Sequence, residues 1–289
     1  MEYTEEDVDA HRSNERLVRW MMAERFLHST MRCERCLTPM HLERFKKAKK
    51  DHFTWRCPRD RCRARISIRD GSFFANSNLT LRKQLKIIIN FVAESPARGT
   101  ALRLRVSRQV VGRVYKKIRR AYSADLVTNP IEFTHGYEYE VDELYLRHLR
   151  VGHGLSIKQW VAGILERQTG KLKYYRVPDR SGQSLVPPIV DSIPRGSFVY
   201  SDDWKGYNSL RNHPYYHFTV NHSAGEYVRA QQVGPVVLSV HINTIEGTNR
   251  WVRSKLRNRA KRTRRRLDLI LDEIAFRHSG RSLFSPIKV

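Results

Sequence analysis

The chain has 289 residues, 40% of them hydrophobic, with 54 Lys and Arg against 29 Asp and Glu, a formal charge of +25. This composition supports a real core and excludes a largely disordered chain, and the length suits one large domain with appendages or two to three domains. The charge excess points to a polyanion, of which nucleic acid is the usual one; a membrane-surface role would call for a basic amphipathic helix with an aromatic face or a lipidation signal, and the sequence has neither.

In chain order, residues 1–28 read as a helical, acidic segment. Its start, "MEYTEEDVDAHRSNERL", is unlike a secretory signal. The most apolar stretch, "LKIIINFVA" (85–93), is too short to span a bilayer, so a soluble, intracellular protein without a membrane partner is expected.

Residues 29–77 hold all four cysteines: Cys33, Cys36, Cys57 and Cys62. The spacing is C-x-x-C, twenty residues, then C-x-x-x-x-C. Closely spaced pairs on tight turns each supply two soft ligands, and zinc takes four in a tetrahedron. Between the pairs, "MHLERFKKAKKDHFTWRC" reads as strand, basic turn, strand, which is how a zinc ribbon is built. A disulfide pair and inert thiols are the alternatives. An intracellular setting argues against the first, and clustering of all four in 30 residues argues against the second. His52 is a competing ligand, but four cysteines already complete one structural zinc. Arg56, Arg59, Arg61, Arg63 and Arg65 surround the second knuckle, where they are placed to touch phosphate.

Residues 78–130 are helical. In "NLTLRKQLKIIINFVAE", Leu85, Ile88, Ile89 and Val92 recur at three- and four-residue spacing, and Ser95-Pro96 ends the run. In the following segment Ser107 caps a helix that places Val110, Val111, Val114, Tyr115 and Ile118 on one face. The opposite face carries Arg108, Arg113, Lys116, Lys117, Arg119 and Arg120. Short helix, turn and basic amphipathic helix make a helix-turn-helix-like DNA-binding segment. The alternative is a helical linker with a basic solvated face.

From 131 to 289 the period turns to alternation. "YEYEVDELYL" (137–146) reads as a strand with Glu138, Glu140 and Asp142 on one face. Strands at 158–168 and 170–179 complete a meander. A helix follows at 184–193, in which Pro187-Pro188 fits only the first turn. A strand then runs into Asp202-Asp203 and a helix, another strand covers 215–223, and helices cover 241–260 and 267–279. This order is that of a ribonuclease-H-like α/β fold. Its first and fourth strands are neighbours, so Asp142 and Asp202 should lie side by side, with Glu246 brought in by the late helix. Three such carboxylates repel unless cations sit between them, and hard oxygen ligands suit Mg or Mn, two ions per site. Glu246 has a plainer reading: Asn243 caps the helix and Glu246 completes a capping box. For Asp142 and Asp202 the plain reading is a solvated strand end. Glu143 and Asp203 should face the other way. His222 and His241 are either supporting groups of the site or hydrogen-bonded structural histidines.

"EVDELYL" (140–146), "WVAGILER" (160–167), "VYSDDWKGYNSL" (199–210), "TVNHS" (219–223), "HINTIEG" (241–247) and "LDEIAFR" (271–277), in this order, resemble the transposases of the Merlin superfamily and their bacterial relatives with an ISXO2-like DDE domain. The resemblance implies cut-and-paste DNA transposition on terminal inverted repeats with divalent metal, and a zinc ribbon ahead of the catalytic domain. It assigns Asp142, Asp202 and Glu246 as the three acids and Arg253 as the basic residue beyond the third. The usual tryptophan three residues after the third acid is Asn249 here, and Trp251 lies two positions later. Arg250 and Lys255 flank Arg253. The run "KLRNRAKRTRRR" (255–266), with eight basic residues in twelve, including Arg259, Lys261 and Arg262, reads as a phosphate track, and as a nuclear import signal in a eukaryotic host. Synapsis of two DNA ends implies a homodimer or larger. The competing functions are a domesticated, non-catalytic DNA-binding protein and a nuclease of the same fold that does not join strands.

Overall fold

The computed structural model describes residues 2–48, 50–151, 155–259 and 264–289, without the side chains of 147–151, 155–158, 255, 257–259 and 264–266. The chain forms two compact units, residues 1–121 with 282–289, and residues 122–281.

The first unit opens with α1 (Glu5–Ala10) and α2 (Asn14–Ala23). Thr4 and Asp7 form a reciprocal capping box on α1, and Ser13 caps α2. A three-stranded antiparallel sheet follows, β1 (His41–Arg44), β2 (Phe53–Arg56) and β3 (Arg65–Ser67). The expected strand, basic turn, strand is therefore present, with one strand more. A nearly buried bidentate pair, Asp51 with Arg69 at 2.6 Å on both arms, ties the start of β2 to the segment after β3. Three helices come next: α3 (Leu81–Val92), α4 (Ala97–Leu104) and α5 (Arg108–Thr128). Leu85, Ile88, Ile89 and Val92 are buried, as their spacing predicts. The turn between α4 and α5 starts at Arg105 in the left-handed region, φ 50°, and Ser107 accepts from the Val110 N–H. The chain's last residues close this unit. Phe284 packs edge-on against Tyr3 and Phe26, the Val289 N–H donates to the Arg25 carbonyl, and Lys288 pairs with Glu2.

The second unit is a mixed five-stranded sheet in the order β6-β5-β4-β7-β8, the arrangement of a ribonuclease-H-like fold. Strands β4 (Glu138–Val151), β5 (Leu155–Glu166) and β6 (Leu172–Val177) form the antiparallel meander. Strand β7 (Phe198–Asp202) lies parallel to β4, and β8 (Tyr216–Val220) parallel to β7. Alternation along the strands divides the core in two. Val141, Ala162, Ile164 and Val199 face α6 (Gly182–Ser192), which buries Leu185 and Ile189. Leu144, Val161, Leu165 and Tyr200 face α7 (Asn243–Arg259) and α8 (Arg264–Arg277), which bury Ile245, Val252, Ile270 and Ile274.

Three details depart from the expectations. Helix α6 starts at Gly182, which places Pro187 and Pro188 in its second turn rather than its first. Pro187 and Gln183, whose carbonyl loses its donor, are both exposed, while Pro188 and Ser184, the next such pair, are half-buried. The helix after Asp202 is a 3-10 helix, Lys205–Asn212. A hairpin, β9 (Arg229–Val233) and β10 (Val236–Val240), separates β8 from α7. No described helix is long and apolar enough to cross a membrane.

Candidate functional site

The parallel pairing of β4 with β7 joins Glu138 to Phe198, Tyr139 to Val199 and Glu140 to Tyr200. The same register carried two residues further sets Asp142 level with Asp202 at the centre of the sheet. Both point to the face covered by α7, since their strand neighbours Leu144 and Tyr200 belong to that core. Each carboxylate is held from its own strand or the turn after it. The Glu143 N–H donates to Asp142 Oδ1 at 2.8 Å, and the Trp204 N–H to Asp202 Oδ1 at 3.2 Å. Asp142 Oδ2 accepts from Asn249 Nδ2 at 2.8 Å.

Burial first, then the neighbouring Glu143 carboxylate, push Asp142 up to about 7 and Asp202 up to about 6. Asp202 adds to the rise at Asp142, which marks the two acids as neighbours. Glu246, in the first turn of α7, lies 3.2 Å from His222 Nδ1, and the charge of His222 also acts on Asp202. His222 thus stands between Glu246 and Asp202, and Asp202 neighbours Asp142. Among the described residues, the only set of three or more metal-binding side chains with ligand atoms all within 4.8 Å of one another is the four cysteines. Three hard carboxylates, two of them held up by burial and by the nearby charge of Glu143, are a donor set that fits divalent cations.

The capping-box reading of Glu246 is not what the structure contains. Asn243 is exposed and makes no side-chain hydrogen bond among the described residues; the start of α7 is capped instead by Glu140, from the sheet. This buried carboxylate accepts from the Ile245 N–H at 2.8 Å, Thr244 Oγ1 at 2.9 Å and Arg167 Nε at 2.7 Å. Arg167 also reaches Glu138 and the carbonyls of Ser239 and His241. The anchor seats the helix that carries Glu246 on the strand that carries Asp142. His241 Nδ1 sits 3.3 Å from Glu140 Oε1, without hydrogen-bond alignment. Glu143 faces the other side of β4, where it meets Tyr207 Oη at 2.8 Å and Arg180 Nη2 at 2.7 Å. Asp203 is exposed and accepts from Asn221 at 3.3 Å. Sequence reading placed Glu138 and Glu140 on the face of Asp142 but gave them no part. The signal is two acids sharing the face of the first metal candidate, and an arginine, Arg167, directly after the next strand.

In the first unit the cysteines close on one another. Cys33 Sγ is 3.6 Å from Cys62 Sγ, and Cys36 Sγ is 3.5 Å from Cys57 Sγ. A tetrahedron with zinc–sulfur bonds of about 2.3 Å has edges of about 3.8 Å, so the cluster fits a structural zinc. The Thr38 hydroxyl and N–H hold Cys36 down to about 6, toward the thiolate that binds metal.

Of the basic candidates, Arg108, Arg113 and Lys116 are exposed on α5. Lys117 is not free: its ammonium donates to the carbonyls of Phe73 and Ala75 and lies 4.7 Å from the Phe73 ring centre, and burial lowers its pKa. Arg250 and Arg253 are exposed on α7. Lys255 and Arg259 lie on α7 with side chains not described, and Lys261 and Arg262 fall outside the described residues.

A ribonuclease-H-like sheet with a carboxylate on each of its two central parallel strands, and a third on the covering helix, is the framework of a DDE-type domain. The ISXO2-like transposase domain model matches residues 135–279, half of the chain, and the chain belongs to that family. Comparison with curated proteins yields no match.

Proposed function

We propose that the protein is a cut-and-paste DNA transposase whose catalytic residues are Asp142, Asp202 and Glu246. The observation that carries this reading is the parallel pairing of β4 with β7 up to Glu140 and Tyr200, two residues before the half-buried Asp142 and Asp202, on the sheet face covered by the helix bearing the third acid. The three carboxylates would hold two Mg or Mn ions, which would supply activation of a water or a 3′-hydroxyl and stabilisation of the leaving oxygen at a phosphodiester. Asp142 and Asp202 bring like charge to one place, which favours their protonated forms, and bound cations would favour release of those protons. Glu140 and Arg167 keep α7, and with it Glu246, against the sheet. Arg250 and Arg253, four and seven residues beyond Glu246 and so on its helical face, take phosphates next to the scissile bond, and the basic run through Lys255, Arg259, Lys261 and Arg262 continues that track. Arg108, Arg113 and Lys116 on α5, with the ribbon held by one zinc, recognise the inverted repeats. Joining two ends to one target requires at least two copies of the chain.

The test uses the full chain, DNA carrying its element's own terminal repeats, and Mg or Mn. Asp142→Asn, Asp202→Asn and Glu246→Gln each remove a charge and keep the size. Each should abolish cleavage and leave DNA affinity nearly intact. Near-parental cleavage by any one variant removes that residue from the site. Cleavage without joined product would make the protein a nuclease of this fold, and binding without cleavage would make it a non-catalytic DNA-binding protein.

A further inference from the structure

We propose that Asn249, held in place by Tyr174, is a positioning residue that fixes the carboxylate of Asp142 for cation binding; the inference rests on the triad reading above. The geometry begins with a row across the sheet. Tyr174 on β6 pairs with Gly163 on β5, and Gly163 pairs with Asp142 on β4. Gly163 leaves the middle of this row empty, and the Tyr174 ring lies across it. A Cβ at position 163 would come within 2.8 Å of Tyr174 Cε1 and 3.2 Å of Ile245 Cδ1. The ring thereby reaches α7. Its hydroxyl donates to Asn249 Oδ1 at 2.7 Å, and Asn249 Nδ2 donates to Asp142 Oδ2 at 2.8 Å.

The order of donors decides the orientation. With the phenol hydroxyl on Oδ1, the amide presents its N–H to the acid; turned over, it would set a carbonyl oxygen against a carboxylate. Asn249 is 1% exposed, so no water substitutes for these bonds. The donor is also neutral. A lysine or arginine there would orient Asp142 equally well but would compete with the cation for its charge, whereas an amide aims the carboxylate and leaves its charge for the ion.

The experiment compares the zinc-loaded full chain with Asn249→Leu, Tyr174→Phe and Gly163→Ala. Mn2+ binding is read from the electron paramagnetic resonance signal of the free ion. The Mn2+ concentration for half-maximal cleavage, the DNA affinity and the melting temperature are read in parallel. Loss of a hydrogen bond to a metal ligand typically weakens metal binding by about 10–100-fold. Asn249→Leu should therefore raise the Mn2+ dissociation constant roughly tenfold or more, with Tyr174→Phe and Gly163→Ala moving it the same way by less. DNA affinity should stay unchanged, and excess Mn2+ should restore cleavage. A folded Asn249→Leu with parental Mn2+ affinity overturns the proposal. If that variant does not fold, Tyr174→Phe decides, since it removes a single oxygen: parental Mn2+ affinity and half-maximal concentration overturn the proposal equally. Asp142→Asn separates the two levels. If it loses Mn2+ binding while the other variants keep it, only the positioning role falls; if it too binds Mn2+ and cleaves as the parent does, the triad reading falls and the proposal with it.

Discussion

Adjacent side chains on β4 take opposite surroundings: Asp142 faces α7 beside Asp202, while Glu143 faces Tyr207 and Arg180. A one-residue slip would exchange them, so the register of this strand is a functional quantity. His217 on β8 gives the fold a separate pH response. Its Nε2 lies 2.9 Å from Ser201 Oγ, and burial pushes its pKa down from 6.5 to about 4. Between those values the unfolded chain binds a proton that the folded one refuses, so stability falls as pH drops through that window, by at most about 3 kcal/mol. His217→Gln keeps a hydrogen-bonding group and does not titrate. It should flatten the fall in melting temperature between pH 6.5 and pH 4; an unchanged slope would remove His217 as its source. Strand alternation and element order single out Asp142 and Asp202 in the sequence, and Glu246 enters through that order and the resemblance, since its local pattern reads as a helix cap. The groups that hold these acids are not legible there. Asn249 lies 107 residues from Asp142, and Tyr174 lies 75 from Asn249, so only the folded sheet brings the row together.

Among the elements, the ribbon is the most readable, because cysteine spacing reports a tetrahedron directly. Its stability should depend on the metal, since structural zinc contributes roughly 10–16 kcal/mol of apparent binding energy in small domains. Cys33→Ser should release zinc and unfold the ribbon locally, leaving the melting of the second unit in place. Zinc analysis of the purified chain checks this, and a content below about half an equivalent would be incompatible with a site of that strength. The meander, α7 and α8 follow from their periodicities. The hairpin β9–β10 does not, because "RAQQVGPVVLSV" neither alternates cleanly nor offers a two-residue turn of Asn-Gly type; its Gly234, at φ 56°, supplies the left-handed residue. The proline pair in α6 misleads for another reason: a helix begun two residues earlier moves the pair into the second turn, with Pro187 on an exposed side.

For the whole molecule the charge of +25 sets how DNA is met. Two kinds of contact predict two kinds of mutant. Arg108→Ala or Arg113→Ala, where the side chain reaches a base edge, should lose about 1–3 kcal/mol on the cognate end and little on random DNA. Arg250→Ala and Arg253→Ala should weaken all DNA alike and flatten the salt dependence by about one unit per lost phosphate contact. Titrations at several salt concentrations distinguish them; equal weakening of cognate and random DNA by the α5 variants would make α5 a phosphate clamp and leave recognition to the ribbon. The closing of the first unit by residues 282–289 has a consequence for synthesis. On the ribosome, all of residues 122–281 emerge before Phe284 and Ile287 reach their places. The ribbon-bearing half therefore matures last, although it is made first. A premature stop inside residues 122–281 should therefore yield not a finished first unit but a chain with an unsealed core around Tyr3 and Phe26.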